Sequence, residues 1–374
     1  MPYRKVLIIR LSALGDVAMT IPVVYSVCRA YPETTFVMLT QKVASQLFIN
    51  APRNLQVVVA DVKGRHKGFV GLYHLAREVR RLSIDAVADL HDVLRTKVLR
   101  FFFKLWGIRV AVIDKGRKEK QELTSRRAKV LRPLRSSFER YGEVFVSLGF
   151  SFVPNFVSLY DEGVGDEGLY SELTPPKSSG ERWIGVAPFA KHKGKIYPLD
   201  RMEKVVSKLS EESRVKIFLF GSGDREREIL SLWRERYPGV ISLADKRYGF
   251  AVELSLMSRL DVMISMDSAN MHLASLVAVP VVSVWGATHP YCGFLGWRQS
   301  DSGVVELPLD CRPCSVFGNK PCYRKDYACL EIAPETIVDR VKSLETLIKE
   351  KYVEYIFLTS LKKRIFIIIL FKTR

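Results

Sequence analysis

Twice in this chain a short apolar run empties into a turn that sets an acidic residue at the start of a helix-period stretch, and this pairing constrains the fold more than anything else. The first instance is Lys5–Arg10 followed by Ser12-Ala13-Leu14-Gly15-Asp16-Val17; the second is Ser265-Met266-Asp267-Ser268-Ala269-Asn270-Met271-His272. A strand that ends in a turn and restarts as a helix is the corner of an open α/β sheet at which ligands bind. One such corner in each half predicts two α/β domains facing one another across a cleft, each contributing a carboxylate to a shared site.

The rest of the chain fits that layout. Apolar runs predict strands at Lys5–Arg10, Thr35–Thr40, Gln56–Val59, Ala86–Asp89 and Arg109–Ile113, with helix-period segments such as Val17–Ala30 and Tyr73–Leu82 between them. Pro154–Glu181 breaks the rhythm with Gly163, Gly165, Gly168, Pro175 and Pro176, a linker composition. The alternation restarts with strands at Trp183–Ala187, Val215–Phe220, Val240–Leu243, Val262–Ser265 and Val279–Trp285, and helices at Arg201–Glu211, Glu226–Tyr237 and Ala251–Ser258. The fold class is therefore read as α/β, two doubly wound Rossmann-like domains facing a cleft. The domains are placed at 1–165 and 183–334, with a linker over 166–182. A helix over 335–351 is expected to pack back on the first domain, and 352–374 is a basic and apolar tail.

Charge narrows the partners. The formal net charge of +18 over 374 residues implies an anionic partner: nucleic acid, nucleotide or an acidic membrane surface. Between Arg95 and Arg135, 14 Lys or Arg stand against three acids, a net +11. Such a segment is either a solvated loop and helix face or a clamp for phosphate and carboxylate groups. Its aromatics, Phe101–Phe103 and Trp106, are adjacent rather than spaced for base stacking, which argues against nucleic acid. Met1–Lys5 runs directly into the first strand, so the expectation is a cytoplasmic protein without a signal peptide. In that reducing compartment Cys311, Cys314, Cys322 and Cys329, spaced C-x2-C-x7-C-x6-C, are a candidate structural zinc site or thiol cluster rather than disulfides. The tail joins Lys362-Lys363-Arg364 to Ile365–Phe371, too short to span a bilayer, which takes about 20 residues. It reads either as an interfacial anchor on an anionic membrane or as a last strand or disordered extension.

The candidate chemistry sits after the strands. Gly15 allows close approach of a ligand, and Asp16, in the first turn of a helix, is either a general base or a cap. Lys191, Lys193 and Lys195 share one loop after a strand and would attract phosphate oxygens. Gly221-Ser222-Gly223 lets a nucleoside lie against the backbone, with Glu226 or Asp224 accepting from ribose hydroxyls. The turn at Asp267–His272 offers backbone N–H groups at a helix start, and Ser268 and Ala269 are small enough to let phosphate reach them. Asp267 would repel a diphosphate, so its carboxylate is expected to turn back onto loop amides. His272 is either a ligand-facing side chain or a satisfied packing histidine. The chain has no Asp-x-Asp pair and no Walker-type lysine, so the charge of a leaving diphosphate is assigned to Lys195, Lys193 and the helix start.

Taken in order, Val6–Val17, Asp89-Leu-His-Asp-Val-Leu-Arg95-Thr, Lys195-Ile-Tyr-Pro, Phe220-Gly221-Ser222, Asp267–His272 and the Cys-x2-Cys cluster resemble glycosyltransferase family nine, the ADP-heptose:lipopolysaccharide heptosyltransferases. The resemblance runs from about residue 4 to 335. It implies a GT-B architecture and metal-independent inverting transfer of heptose from ADP-heptose to a lipopolysaccharide inner-core acceptor, with no cofactor. It also implies peripheral work at the cytoplasmic face of an anionic inner membrane. Carried over by motif, Asp16 matches the catalytic base and Lys195 the diphosphate-binding lysine. Lys193, Gly221, Ser222, Glu226, Asp267, Ser268, Ala269 and His272 fall to the donor. Ser12, Gly15, His91, Arg95, Arg117, Lys118, Lys120, Arg126 and Arg127 fall to the acceptor. The loop before Lys195 reads Pro188-Phe-Ala-Lys-His-Lys-Gly194, and Ala269 stands where Gly is common, departures that bear on donor identity. Two alternatives remain: a transferase of the same fold using another nucleotide sugar, and a non-catalytic protein that binds an anionic polymer or membrane.

Overall fold

Neighbouring residues of the first strand, β1 (Lys5–Ile9), are buried on opposite sides: Val6 and Ile8 in one apolar cluster, Leu7 and Ile9 in another. A strand that is apolar on both faces needs cover on both, which is the condition of a parallel sheet flanked by helices. The computed structural model describes residues 3–161 and 163–347. Its first sheet is wholly parallel, in the order β3-β2-β1-β4-β5, with β2 at Thr35–Thr40, β3 at Leu55–Val59, β4 at Ala86–Asp89 and β5 at Arg109–Val112. The second, also parallel, runs β11-β10-β9-β6-β7-β8. Its strands are β6 (Arg182–Ala187), β7 (Val215–Leu219), β8 (Val240–Ser242), β9 (Val262–Met266), β10 (Val281–Trp285) and β11 (Val304–Glu306).

Strand order reverses between β1 and β4 in the first sheet and between β6 and β9 in the second. Register sets Ile9 beside Asp89 and Ala187 beside Ser265. At such switch points the connecting loops diverge to opposite faces and leave a crevice at the carboxyl ends of the strands. Both turns singled out from the sequence emerge there.

The expected strands all form, and β11 is an addition. The expected helix Val17–Ala30 is two helices, Leu14–Ala18 and Ile21–Ala30. Pro22 explains the break: with no N–H it fits the first turn of a helix but cannot continue an incoming one. Helix Gly68–Arg80 buries Leu72, Leu75, Ala76 and Val79, the spacing of one helical face.

The segment 166–182 is packed rather than loose. Tyr170 is buried edge-on to Trp183, with ring centroids 6.2 Å apart, and the Ser255 hydroxyl donates to the Asp166 carbonyl. The helix over 334–347 does not return to the first domain as expected. Ile337, Val338, Val341 and Leu344 lie in the same buried cluster as Ile184, Val205 and Val282 of the second half. Glu345 pairs with Arg182 at 2.6 Å, so its apolar stripe closes the outer face of the second sheet. Residues 348–351 and the tail 352–374 lie outside the described residues. Among the described residues no helix is long and apolar enough to cross a membrane.

One buried cluster passes through both halves. It runs from Val6 and Ile8 through Tyr25, Phe145 and Phe156 to Met271, Leu273, Trp183 and Trp285. Leu159 donates its N–H to the Leu276 carbonyl across the same boundary.

Candidate active site

β1 delivers Arg10, and the short helix that follows delivers Asp16. Asp16 Oδ1 lies 2.9 Å from Arg10 Nη2, and Oδ2 accepts the Ala13 N–H at 3.2 Å. Asp16 therefore caps its own helix and is charge-paired, while its side chain stays 32% exposed. Burial alone would raise its pKa, but the Arg10 charge and the Ala13 N–H outweigh that and hold the carboxyl below its ordinary value. His91, after β4, accepts the Leu11 N–H on Nδ1 at 3.3 Å, which places the ring proton on Nε2. Burial, with Arg10 and Lys115 nearby, pushes its pKa down to about 3, so the ring is neutral.

In the second half Lys195 closes a 3-10 turn, Lys193–Lys195, shortly after β6. Its Nζ is 2.9 Å from Asp267 Oδ2, which also accepts the Thr288 hydroxyl at 2.7 Å. The expectation that Asp267 folds onto loop amides is corrected: an ammonium within reach is the stronger partner for a buried carboxylate. Ser268 is the N-cap residue of helix Ala269–Leu276. His272, on that helix, is buried, and its Nδ1 has no hydrogen-bond partner. Burial pushes its pKa down to about 4, leaving it neutral.

Glu226 turns onto its own loop, accepting the Ser222 N–H at 2.7 Å, and a Cβ at Gly221 would stand 2.8 Å from Leu230 Cδ1. The Lys193 ammonium sits 5.0 Å from the centre of the Tyr327 ring, while Lys195 pairs with Asp267.

The two acidic turns meet at Gly15. A Cβ there would stand 3.1 Å from His272 Cδ2 and 3.3 Å from Ala269 Cα, so helices Leu14–Ala18 and Ala269–Leu276 are in direct contact. Gly15 serves this close approach and is not among the residues lining the neighbouring cavity.

That cavity, about 530 Å³, opens beside Asp16. Of the residues expected around an acceptor, Ser12, His91, Arg117 and Lys120 line it. Arg95, Lys118, Arg126 and Arg127 do not: all four are exposed, and Arg126 lies 4.3 Å from the centre of the Tyr323 ring. Part of the basic segment thus holds the two halves together, as Lys129 shows by donating to the carbonyls of Asp310 at 2.8 Å and Arg312 at 2.7 Å. Arg117 is paired with Asp92 at 2.6 Å. Burial and the neighbouring Arg140 push the Lys120 ammonium down to about 8.

The sequence reading missed Arg10, Lys115, Arg140, Tyr141, Phe294, Phe317 and Lys320, all of which line the cavity. Arg10 was legible as the last residue of the strand. The others arrive from distant helices and loops, and no local spacing marks them.

Of the two readings of the cysteine array, a structural zinc site or a thiol cluster, the described residues show free thiols. All four thiols are free, and among the described residues no three His, Cys, Asp or Glu side chains are grouped closely enough to hold an ion. Cys329 is buried against Ala287 and Leu330, an apolar environment that pushes its thiol up to about 12.

A family model described as glycosyltransferase family 9 (heptosyltransferase) matches residues 72–321. Lipooligosaccharide heptosyltransferase 2 of Campylobacter jejuni subsp. jejuni serotype O:6 is 23% identical, covering 89% of this chain and 96% of its own. A crystal structure of a family 9 glycosyl transferase from Veillonella parvula superposes with a TM-score of 0.69 at 20% identity, over 92% of this chain and 98% of that one. E. coli ADP-heptose lps heptosyltransferase II gives a TM-score of 0.64 at 17% identity, over 92% and 99%. These likenesses place the two-sheet architecture in the GT-B class.

Proposed function

The chain belongs to glycosyltransferase family 9, the heptosyltransferases, and from that membership we propose that it moves a heptose from ADP-heptose to a sugar hydroxyl of a lipopolysaccharide inner core, with inversion and without a metal. The observation that supports this reading is the direct contact at Gly15 between helix Leu14–Ala18, which carries Asp16, and helix Ala269–Leu276, which follows the turn whose Asp267 pairs with Lys195.

In this reading the acceptor enters the cavity beside Asp16, whose solvent-exposed side receives the proton of the attacking hydroxyl. A carboxylate held ionised by Arg10 is a weak base in the ground state. It becomes effective as the hydroxyl acidifies on bonding to the anomeric carbon, and Arg10 keeps it from being protonated beforehand. The neutral His91 ring directs its Nε2–H as a donor to an acceptor oxygen. On the other side Lys195 and the backbone N–H groups at the start of helix Ala269–Leu276 meet the charge that develops on the departing ADP. A net charge of +18 suits a protein whose two substrates, and the membrane surface where its acceptor is anchored, are all anionic.

The test mixes purified protein, ADP-heptose and deacylated inner-core oligosaccharide and follows product mass. Transfer of heptose supports the reading. Transfer only from another nucleotide sugar assigns the chain a different donor, and ADP binding with no transfer from any donor overturns the enzymatic reading.

A further inference from the structure

One wall of the cavity comes from the far end of the chain: Val316, Phe317 and Lys320, from the loop between Arg312 and Cys322. The base of that loop is rigid. Arg312 is 2% exposed, and its guanidinium donates to the Leu307 carbonyl at 2.7 Å and the Thr288 carbonyl at 2.9 Å while pairing with Glu306 at 2.7 Å. Thr288 in turn donates its hydroxyl to Asp267, the partner of Lys195. Gly318, in the left-handed region at φ +68°, lies on the stem of that same lysine. A Cβ there would stand 2.5 Å from Lys195 Cγ and 2.8 Å from Cδ. The loop and Lys195 are thus one close-packed, hydrogen-bonded unit.

The side chains this unit shows to the cavity are of two kinds. Phe317 is 54% exposed and tilts against Phe294 at 5.7 Å between ring centres. Lys120 and Lys320 stand beside this pair, with the Lys120 ammonium 4.6 Å from the centre of the Phe294 ring. Among the described residues neither lysine has a carboxylate within ion-pair distance, whereas Arg10, Arg117 and Arg140 on the same cavity each have one. The exposed Phe317, set on a half-buried Phe294, offers ring C–H groups in the cavity an apolar face. Two unpaired ammonium groups beside it offer charge to an anion.

We propose that residues 316–320 read the acceptor: Phe317, with Phe294, stacks on the apolar face of an acceptor sugar, and Lys320, with Lys120, binds an anionic substituent, carboxylate or phosphate, of the same molecule. This rests on the transferase reading above and adds that the second half, which carries the donor lysine, also selects the acceptor.

Phe317→Ala and Lys320→Ala test it, since both side chains are exposed and neither supports the core. Binding of deacylated inner-core oligosaccharide is measured by calorimetry, with transfer kinetics and ADP affinity alongside, using oligosaccharide with and without its phosphate and with its carboxylates intact or esterified. Each variant is expected to weaken oligosaccharide binding and raise acceptor KM at least about tenfold, leaving ADP affinity within about twofold. Lys320→Ala is also expected to lose discrimination against whichever anion, phosphate or carboxylate, the wild type prefers. Unchanged acceptor binding and KM in both variants, with wild-type transfer intact, overturns the proposal and leaves the transferase reading standing. Weakened oligosaccharide binding without wild-type transfer upholds the loop's role and overturns the transferase reading. A wild type that neither binds oligosaccharide nor transfers sugar overturns both.

Discussion

Lys195 and Asp267 form an ion pair of 2.9 Å with side chains only 16% and 5% exposed. The ammonium assigned to the diphosphate is therefore already neutralised, and a donor must share or displace the carboxylate. Removing Lys195 leaves a buried carboxylate with the Thr288 hydroxyl as its remaining side-chain partner. Lys195→Ala is expected to lose about 3–5 kcal/mol of stability. The double variant Lys195→Ala/Asp267→Ala recovers most of it but regains no ADP affinity. Urea unfolding and ADP calorimetry check the two halves of this statement, and recovered ADP binding in the double variant removes Lys195 from the donor site.

Asp16→Asn keeps the shape of the side chain and removes its basicity. Transfer is expected to fall by about 10²–10⁴-fold while ADP affinity stays within about twofold. A turnover assay paired with ADP titration separates this from a general loss of structure.

Two titrations carry opposite signs. The Asp16 pKa is depressed, so its ionised form and the Arg10 pair persist above the ordinary carboxylate value and are lost only as pH falls through the lowered folded value. The acid limb of kcat/KM is therefore expected below the usual carboxylate range. Arg10→Gln, which leaves burial unopposed by charge, moves it upward. Lys120 titrates near 8 from the other direction, its ammonium present below that value and lost above it. Acceptor KM should rise as pH passes about 8 in the wild type and stay flat in Lys120→Arg, because a guanidinium remains charged. pH profiles of kcat/KM and of acceptor KM read the two groups separately.

Gly15→Val thrusts a branched side chain against His272 and the Ala269 backbone. The two turns must part, and since misplacement by about 1 Å costs on the order of 10²-fold in rate, kcat should drop by that order. ADP affinity, measured in parallel, is expected to change less.

Legibility of the fold followed from local chemistry. Strands apolar on both faces, such as Lys5–Ile9, and single-faced helices, such as Gly68–Arg80, declare themselves by period, which is why both sheets were readable. The three residues of β11 are too few to show a period, and the break at Pro22 was hidden by continuous apolar residues on either side. Asp16, Lys195, Asp267 and His272 were singled out because each lies in a turn or helix start that follows a strand. Their partners were not: Asp267 meets Lys195 and Thr288 only once β6, β9 and β10 are aligned, and Lys320 reaches the cavity by way of a loop anchored on Arg312. Charge density marked the segment Arg95–Arg135 as a whole and could not separate Lys120, which lines the cavity, from Lys129, which grips the opposite half.

The buried cluster that passes from Val6 through Phe156 to Met271 and Trp285 has a consequence for how the molecule comes apart. Neither sheet can lose its inner layer without stripping apolar surface from its neighbour, so the two halves are expected to melt in one calorimetric transition. A widening of the crevice that keeps this shared seam covered must be a small pivot about it rather than a separation of two bodies.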